Sequence, residues 1–226
     1  MGFRVWGALP QKYNPSPNNA YETLQTKHYN NMFEFKKQQP DNSENPWKTH
    51  RIEESYKNPW IRITHRDVTN PSGGKGIYGV VHFKNVAVGV VPLDGEGYTW
   101  LVGQYRYTLE QYSWEIPEGG APQGSLPLDS AKRELLEETG ITALKWTPLL
   151  ELHTSNSVTD EYGVAYIAQD LHFGEAEPEE TEDLNVRRLP FSEVVDMVMR
   201  GDITDSLSMV AILKTNEWLR NGTLTF

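Results

Sequence analysis

The sequence predicts an α/β protein built on a mixed sheet, and three observations carry that expectation. Runs rich in β-branched and aromatic residues lie on both sides of one well-bounded helical segment. These runs do not alternate with helices in the regular strand–helix–strand order of a parallel sheet, and two further helical patterns close the chain. With 226 residues, 38% hydrophobic and 11% aromatic, the chain has material for one sizeable core and some length left over.

Residues 1–46 read as a polar N-terminal extension. The stretch Asn14-Pro15-Ser16-Pro17-Asn18-Asn19 and residues 36–43 are rich in Asn, Pro and Lys without sustained periodicity. Scattered aromatics (Trp6, Tyr13, Tyr21, Tyr29, Phe33, Phe35) distinguish this stretch from a plain linker. A denser domain is expected over 47–226. Residues 60–68 and 77–83 read as strands, with a turn at Ser72-Gly73-Gly74. Residues 86–93 form a buried-type apolar run, and Asp94-Gly95-Glu96-Gly97 turns it into a strand over 98–105. Further strands are expected near 144–152, 164–170 and 184–189. Helices are expected over 192–200, stopped by Gly201, and over 205–220, with Ser192 and Asp205 placed as N-caps.

The central helix carries the most information. Pro127 suits its first turn, and Gly140 suits the residue just past its end. Leu128, Ala131 and Leu135 share a stripe that can face a core. Glu134, Glu137 and Glu138 share the neighbouring edge. Like charges at these spacings repel by a few tenths of a kcal/mol per pair, roughly. A divalent cation reverses that sign, and hard ions such as Mg²⁺ and Mn²⁺ prefer carboxylate oxygens. Ser125, just ahead of Leu126-Pro127, is placed to cap the helix with its hydroxyl.

Composition narrows the classes. With 31 acidic against 21 basic residues, the net charge of −10 argues against a nucleic-acid backbone or an anionic membrane as partner. The absence of Cys excludes disulfides, thiolate zinc sites and Cys nucleophiles. No run approaches about 18 consecutive apolar residues, and the N-terminal apolar patch is too short for a secretory core. A cytoplasmic location is the expectation.

From Gly119 to Ile141 the chain resembles the Nudix box. Gly119, Arg133, Glu134, Leu135, Glu137, Glu138, Gly140 and Ile141 stand at the matching spacings, and Ser125 stands where the usual form has Glu. The resemblance covers about residues 47–219. It implies an α/β/α sandwich and metal held by Glu134, Glu138 and Glu137, with Glu118 contributing its backbone carbonyl so that its side chain is free to vary. Lacking Cys, the chain differs from the isoprenoid isomerases that share the fold.

Beside the box, Gln104-Tyr105-Arg106 and Trp114-Glu115-Ile116-Pro117-Glu118 are similar to the branch that cleaves ADP-ribose and nucleoside diphosphate sugars. That likeness implies substrate contacts for Arg106 and Glu115, the planar guanidinium suiting a diphosphate. Glu161 matches the acid that binds the terminal sugar, although the Pro usually found ahead of it is missing, which favours a broader diphosphosugar specificity. Trp60 resembles the aromatic that stacks on the nucleobase, and it serves equally well as an aromatic packed in the sheet. In the acidic loop 175–183, Glu182 is the best match to the base that activates water, followed by Glu180, and Glu137 is a further catalytic candidate.

The implied activity is Mg²⁺- or Mn²⁺-dependent hydrolysis of a nucleoside diphosphate sugar to a nucleoside monophosphate and a sugar phosphate, by a homodimer joined through its N-terminal strands. Two other readings stay open: a nucleoside triphosphate pyrophosphohydrolase, which the Glu115–Gly120 context disfavours, and a non-catalytic nucleotide-sugar sensor, to which Ser125 and the N-terminal extension point.

Overall fold

The apolar run ahead of Asp94 becomes the central strand of the sheet, because both its faces are covered. The computed structural model describes residues 45–175 and 184–226. In chain order its strands are β1 (Lys48–Lys57), β2 (Ile61–Thr69), β3 (Lys75–Phe83), β4 (Asn85–Pro92), β5 (Tyr98–Arg106), β6 (Gln111–Glu115), β7 (Glu118–Pro122), β8 (Ile141–His153), β9 (Tyr162–Phe173) and β10 (Asn185–Pro190). The helices are α1 (Pro127–Thr139), α2 (Phe191–Arg200) and α3 (Ser206–Arg220).

A four-stranded sheet runs in the order β7-β4-β9-β8 and is mixed, as expected: β4 pairs parallel with β9, while β4–β7 and β8–β9 are antiparallel. A second sheet is ordered β10-β5-β6, and a third β1-β2-β3. Side chains alternate across a strand, so β4 and β9 each serve two layers. Val91, Ala165 and Ile167 join Val194, Ile203, Leu207, Ala211 and Ile212 in the main core, on the face covered by α2 and α3. Val88, Val90, Val164 and Tyr166 point the other way, and α1 packs against β4, β7, β8 and β9. Helices on both faces of a mixed sheet make the α/β/α sandwich.

The described chain divides into two units. In the first (residues 45–50 and 68–76), the Asn70 carboxamide accepts the N–H groups of Ser72 and Gly74 at 3.0 and 2.9 Å and closes the expected turn. The second (residues 51–67 and 77–226) holds the sandwich. Among the described residues no helix is long and apolar enough to cross a membrane.

Two expected caps are corrected. Ser192 lies inside α2, which starts at Phe191 behind Pro190 without a side-chain cap. Pro190 takes the N-cap position and the Phe191 N–H is bonded to the Gly97 carbonyl at 2.9 Å, so Ser192 is already one residue into the helix. Ser125 does not cap α1 either. Its hydroxyl donates to the Pro122 carbonyl at 2.6 Å within a tight turn, and the uncapped Leu126 stands at the helix start. Asp205 caps α3 as expected, accepting the Ser208 N–H at 2.7 Å. Three strands were not anticipated. Every residue of β1 is exposed, which erases any burial pattern, and β6 and β7 are five residues each, β7 being rich in Gly and Pro.

Gly140 ends α1 with φ near 70°, and its N–H reaches the Leu136 carbonyl at 2.8 Å. An L side chain in that left-handed conformation is disfavoured by about 1–2 kcal/mol. Gly140→Ala is therefore expected to lower the unfolding free energy by about 1 kcal/mol in a urea titration with the slope unchanged. An unshifted midpoint would mean that the helix end relaxes without strain.

Candidate active site

Docking of α1 brings its acidic edge against the backbone of residues 116–120. Ala131 and Leu135 are fully buried, and Glu134 and Glu138 on the adjacent edge are only 4% and 2% exposed. One edge of the 116–120 segment is bonded to β4, where Val90 donates to the Pro117 carbonyl at 2.9 Å. The other edge turns successive alternate N–H groups outward. Those of Glu118 and Gly120 donate to the Glu138 and Glu134 carboxylates at 3.0 and 3.1 Å, and that of Ile116 donates to Ser208 Oγ at 3.0 Å. Three side chains thus stand where a neighbouring strand would otherwise pair.

The fit needs glycine at 119. A Cβ there would lie 2.2 Å from Glu134 Cδ, inside any van der Waals contact, so a side chain would push the carboxylate out of place. Arg133 binds the carboxylate of Glu134 and also that of Glu137, the latter at 2.5 Å. Glu137 remains half-buried. Burial raises the Glu134 pKa to about 7 even though Arg133 pulls in the opposite direction.

A second charged group adjoins the first. Glu115 is 2% exposed, and Arg106 Nε donates to its two oxygens at 2.9 and 3.0 Å. Arg106 also reaches Glu118 Oε1 at 2.8 Å. The other Glu118 oxygen is buried without a hydrogen-bond partner. Burial, then repulsion from Asp205 and Glu115, lifts the Glu118 pKa well above the carboxylate range. The Glu118 side chain is itself enclosed against Arg106. Its backbone carbonyl lies on the same outward edge as its N–H.

The residues suit a hard divalent cation. The donors are carboxylate oxygens, buried and short of positive charge: Glu134 resists ionisation even beside Arg133, and Glu118 keeps an orphaned oxygen. Among the described residues, no three Asp, Glu or His groups are already gathered in metal-ligand geometry. Arg133 holds Glu134 and Glu137, and a metal bound there would compete with that guanidinium.

Two further candidates among the described residues, Glu161 and Trp60, are held by partners of their own. Glu161 is half-buried with its carboxylate bonded to Thr154 Oγ1. Its neighbour Asp160 is tied to His82 Nδ1 at 2.5 Å and to the Phe83 N–H at 3.0 Å, which anchors that loop to β3. Trp60 is half-buried just ahead of β2, its backbone N–H accepted by Asn58 Oδ1 at 2.9 Å. Glu182 and Glu180 fall outside the described residues. Sequence reasoning missed Asp205 and Ser208 as neighbours of the site, since a cap pattern does not tell which strand the helix start will touch.

Residues 83–206 match the NUDIX domain, and residues 47–81 match the nucleoside diphosphate sugar hydrolase N-terminal domain. The chain is 35% identical over 150 residues to an ADP-ribose pyrophosphatase of Mycobacterium tuberculosis, covering 65% of this chain and 72% of that protein. It is 31% identical over 167 residues to an ADP-ribose pyrophosphatase of Bacillus subtilis, covering 73% and 90%. A crystal structure of an ADP compounds hydrolase superposes with a TM-score of 0.72 at 24% identity, over 80% of this chain and 97% of that one, and so shares the fold.

Arg106 is the cation that compensates buried Glu115. Removing one partner of a buried pair leaves an uncompensated charge, worth about 3–5 kcal/mol when both groups are enclosed. Arg106 keeps 35% of its side chain exposed, so Arg106→Met is expected to destabilise by a smaller amount, about 2–3 kcal/mol, in urea unfolding at neutral pH. Adding Glu115→Gln should restore much of that loss. Simple additivity of the two substitutions would show that Glu115 does not depend on Arg106.

Proposed function

The chain belongs to the Nudix hydrolase family and is a pyrophosphohydrolase, and we propose that its substrates are nucleoside diphosphate sugars, ADP-ribose among them. Water adds to one phosphorus, the bridging P–O bond breaks, and a nucleoside monophosphate and a sugar phosphate leave. The observation that carries this reading is the pair of buried carboxylates, Glu134 and Glu138, held on backbone N–H groups immediately beside the Arg106–Glu115–Glu118 cluster.

Glu134, Glu138 and Glu137, with the Glu118 carbonyl, would hold Mg²⁺ or Mn²⁺. Such an ion supplies charge neutralisation for the diphosphate and a lowered pKa for its bound water. Arg106 is oriented through Nε and Nη2 by the two glutamates, which leaves Nη1 for a diphosphate oxygen. Glu161 takes the terminal sugar, Trp60 stacks on the base, and Glu182 accepts the proton of the attacking water. The active species is a homodimer joined through the sheet containing β1, β2 and β3, where Ile52, Tyr56 and Ile77 lie more than half exposed.

Product separation after incubation with ADP-ribose, GDP- and UDP-sugars, and triphosphates, each with Mg²⁺ or Mn²⁺, tests the reaction. Nucleoside monophosphate from a diphosphosugar is expected. Pyrophosphate from a triphosphate, or binding without turnover, would each replace this reading. In the same assay Glu134→Gln and Glu138→Gln should lower kcat by at least ~10²-fold with the fold retained. Glu182→Gln should reduce kcat with little change in KM, and Glu180→Gln should do less. The opposite ranking would assign the base to Glu180.

Sedimentation equilibrium at micromolar concentration should give twice the 25.8 kDa chain mass, and a monomer alone would remove the dimer.

A further inference from the structure

We infer that Ser208 is a positioning residue of the site: its hydroxyl, at the start of α3, sets the orientation of the backbone edge that holds Glu138 and Glu134. Ser208 is fully buried, and its Oγ accepts the N–H of Ile116, a residue 92 positions earlier. Ile116 is itself 1% exposed, so no bulk water can substitute for that acceptor.

The bond acts beyond Ile116 itself, through the residues on its C-terminal side. Along an extended segment, N–H groups two residues apart point the same way, so those of Ile116, Glu118 and Gly120 form one row. Between the first and second lies Pro117, whose ring fixes φ and removes one soft dihedral. The Pro117 carbonyl is held from the opposite side by the Val90 N–H. The Val90 bond holds the peptide that carries the Glu118 N–H and the Ser208 bond holds the peptide ahead of Ile116, so with φ of Pro117 set by its ring the two anchors together fix the row on which Glu138 is held. The same segment carries Glu115 and Glu118, which enclose Arg106.

Ser208 is in turn held from two directions. Asp205 accepts its N–H at 2.7 Å, which fixes the first turn of α3. Leu207 is seated beside Ile116 over Gly89: a Cβ at position 89 would lie 2.8 Å from Ile116 Cδ1 and 3.0 Å from Leu207 Cδ2. The start of α3 thus meets the site through a packed apolar contact and one directed hydrogen bond, and only the bond specifies the rotation of the peptide.

The test uses the full chain with Ser208→Ala and Ser208→Cys, the second keeping a side-chain acceptor that is larger and weaker. Hydrogen exchange of the metal-free protein should be faster by about tenfold or more at the Glu118 and Gly120 amides in Ser208→Ala, with β9 amides unchanged and Cys intermediate. On a diphosphosugar that the wild type turns over, kcat should fall about tenfold with KM for the substrate within about twofold, and half-saturation should need more metal. Acceleration spread evenly over the protein, or wild-type exchange at 118 and 120 with wild-type kcat, would overturn the assignment and leave Ser208 a structural cap. If Ser208→Ala does not fold, Ser208→Cys decides on the same two readouts. The activity arm rests on the function proposed above and the exchange arm does not, so failure of one is distinguishable from failure of the other.

Discussion

The site depends on two buried carboxylates taking hydrogen bonds from backbone that a sheet would ordinarily pair. Placing Glu134 and Glu138 in the interior is unfavourable unless each finds donors, and the outward N–H groups of Gly120 and Glu118 supply them. Much of the neighbouring design is set by this need. Position 119 must lack a side chain, α1 must dock through Ala131 and Leu135 at close range, and the segment must be bonded to β4 on one edge only. The familiar spacing of the box is the one-dimensional trace of this packing problem.

Charge balance is the second constraint. Arg133 and Arg106 each serve two carboxylates, yet the Glu134 carboxyl still favours its proton and Glu118 retains a buried oxygen without a partner. Acidic groups are gathered here beyond what the protein's own cations compensate, an arrangement enriched at functional sites. The long loop ahead of β9 is fastened separately, through the Asp160–His82 pair and the bond from Tyr78 Oη to the Ser157 carbonyl at 2.6 Å. Glu161 is consequently presented from a braced turn.

Much of this was legible from local pattern. The stripe of Ala131 and Leu135, the flanking Pro127 and Gly140, and the acidic edge are all properties of one helix, and helical periodicity reports them directly. Legibility failed where a residue's partner lies far along the chain. Ser192 looks like a cap until the Gly97 carbonyl takes the helix's first N–H, and Ser125 until its hydroxyl turns back to Pro122. Ser208 resembles any polar residue in the first turn of a helix, and nothing nearby names Ile116. β1 left no periodic trace because neither of its faces is buried.

The way the outer edge of 116–120 is closed has a bearing on self-association. A sheet margin with free N–H groups is a template for strand addition by another chain, the first step of edge-to-edge aggregation. Here Ser208, Glu138 and Glu134 have taken those donors, and two of the three groups are acids that would be stranded if an incoming strand displaced them. The same row of bonds that builds the candidate active site therefore leaves this margin, from Ile116 to Gly120, with no outward N–H to offer a passing β-strand.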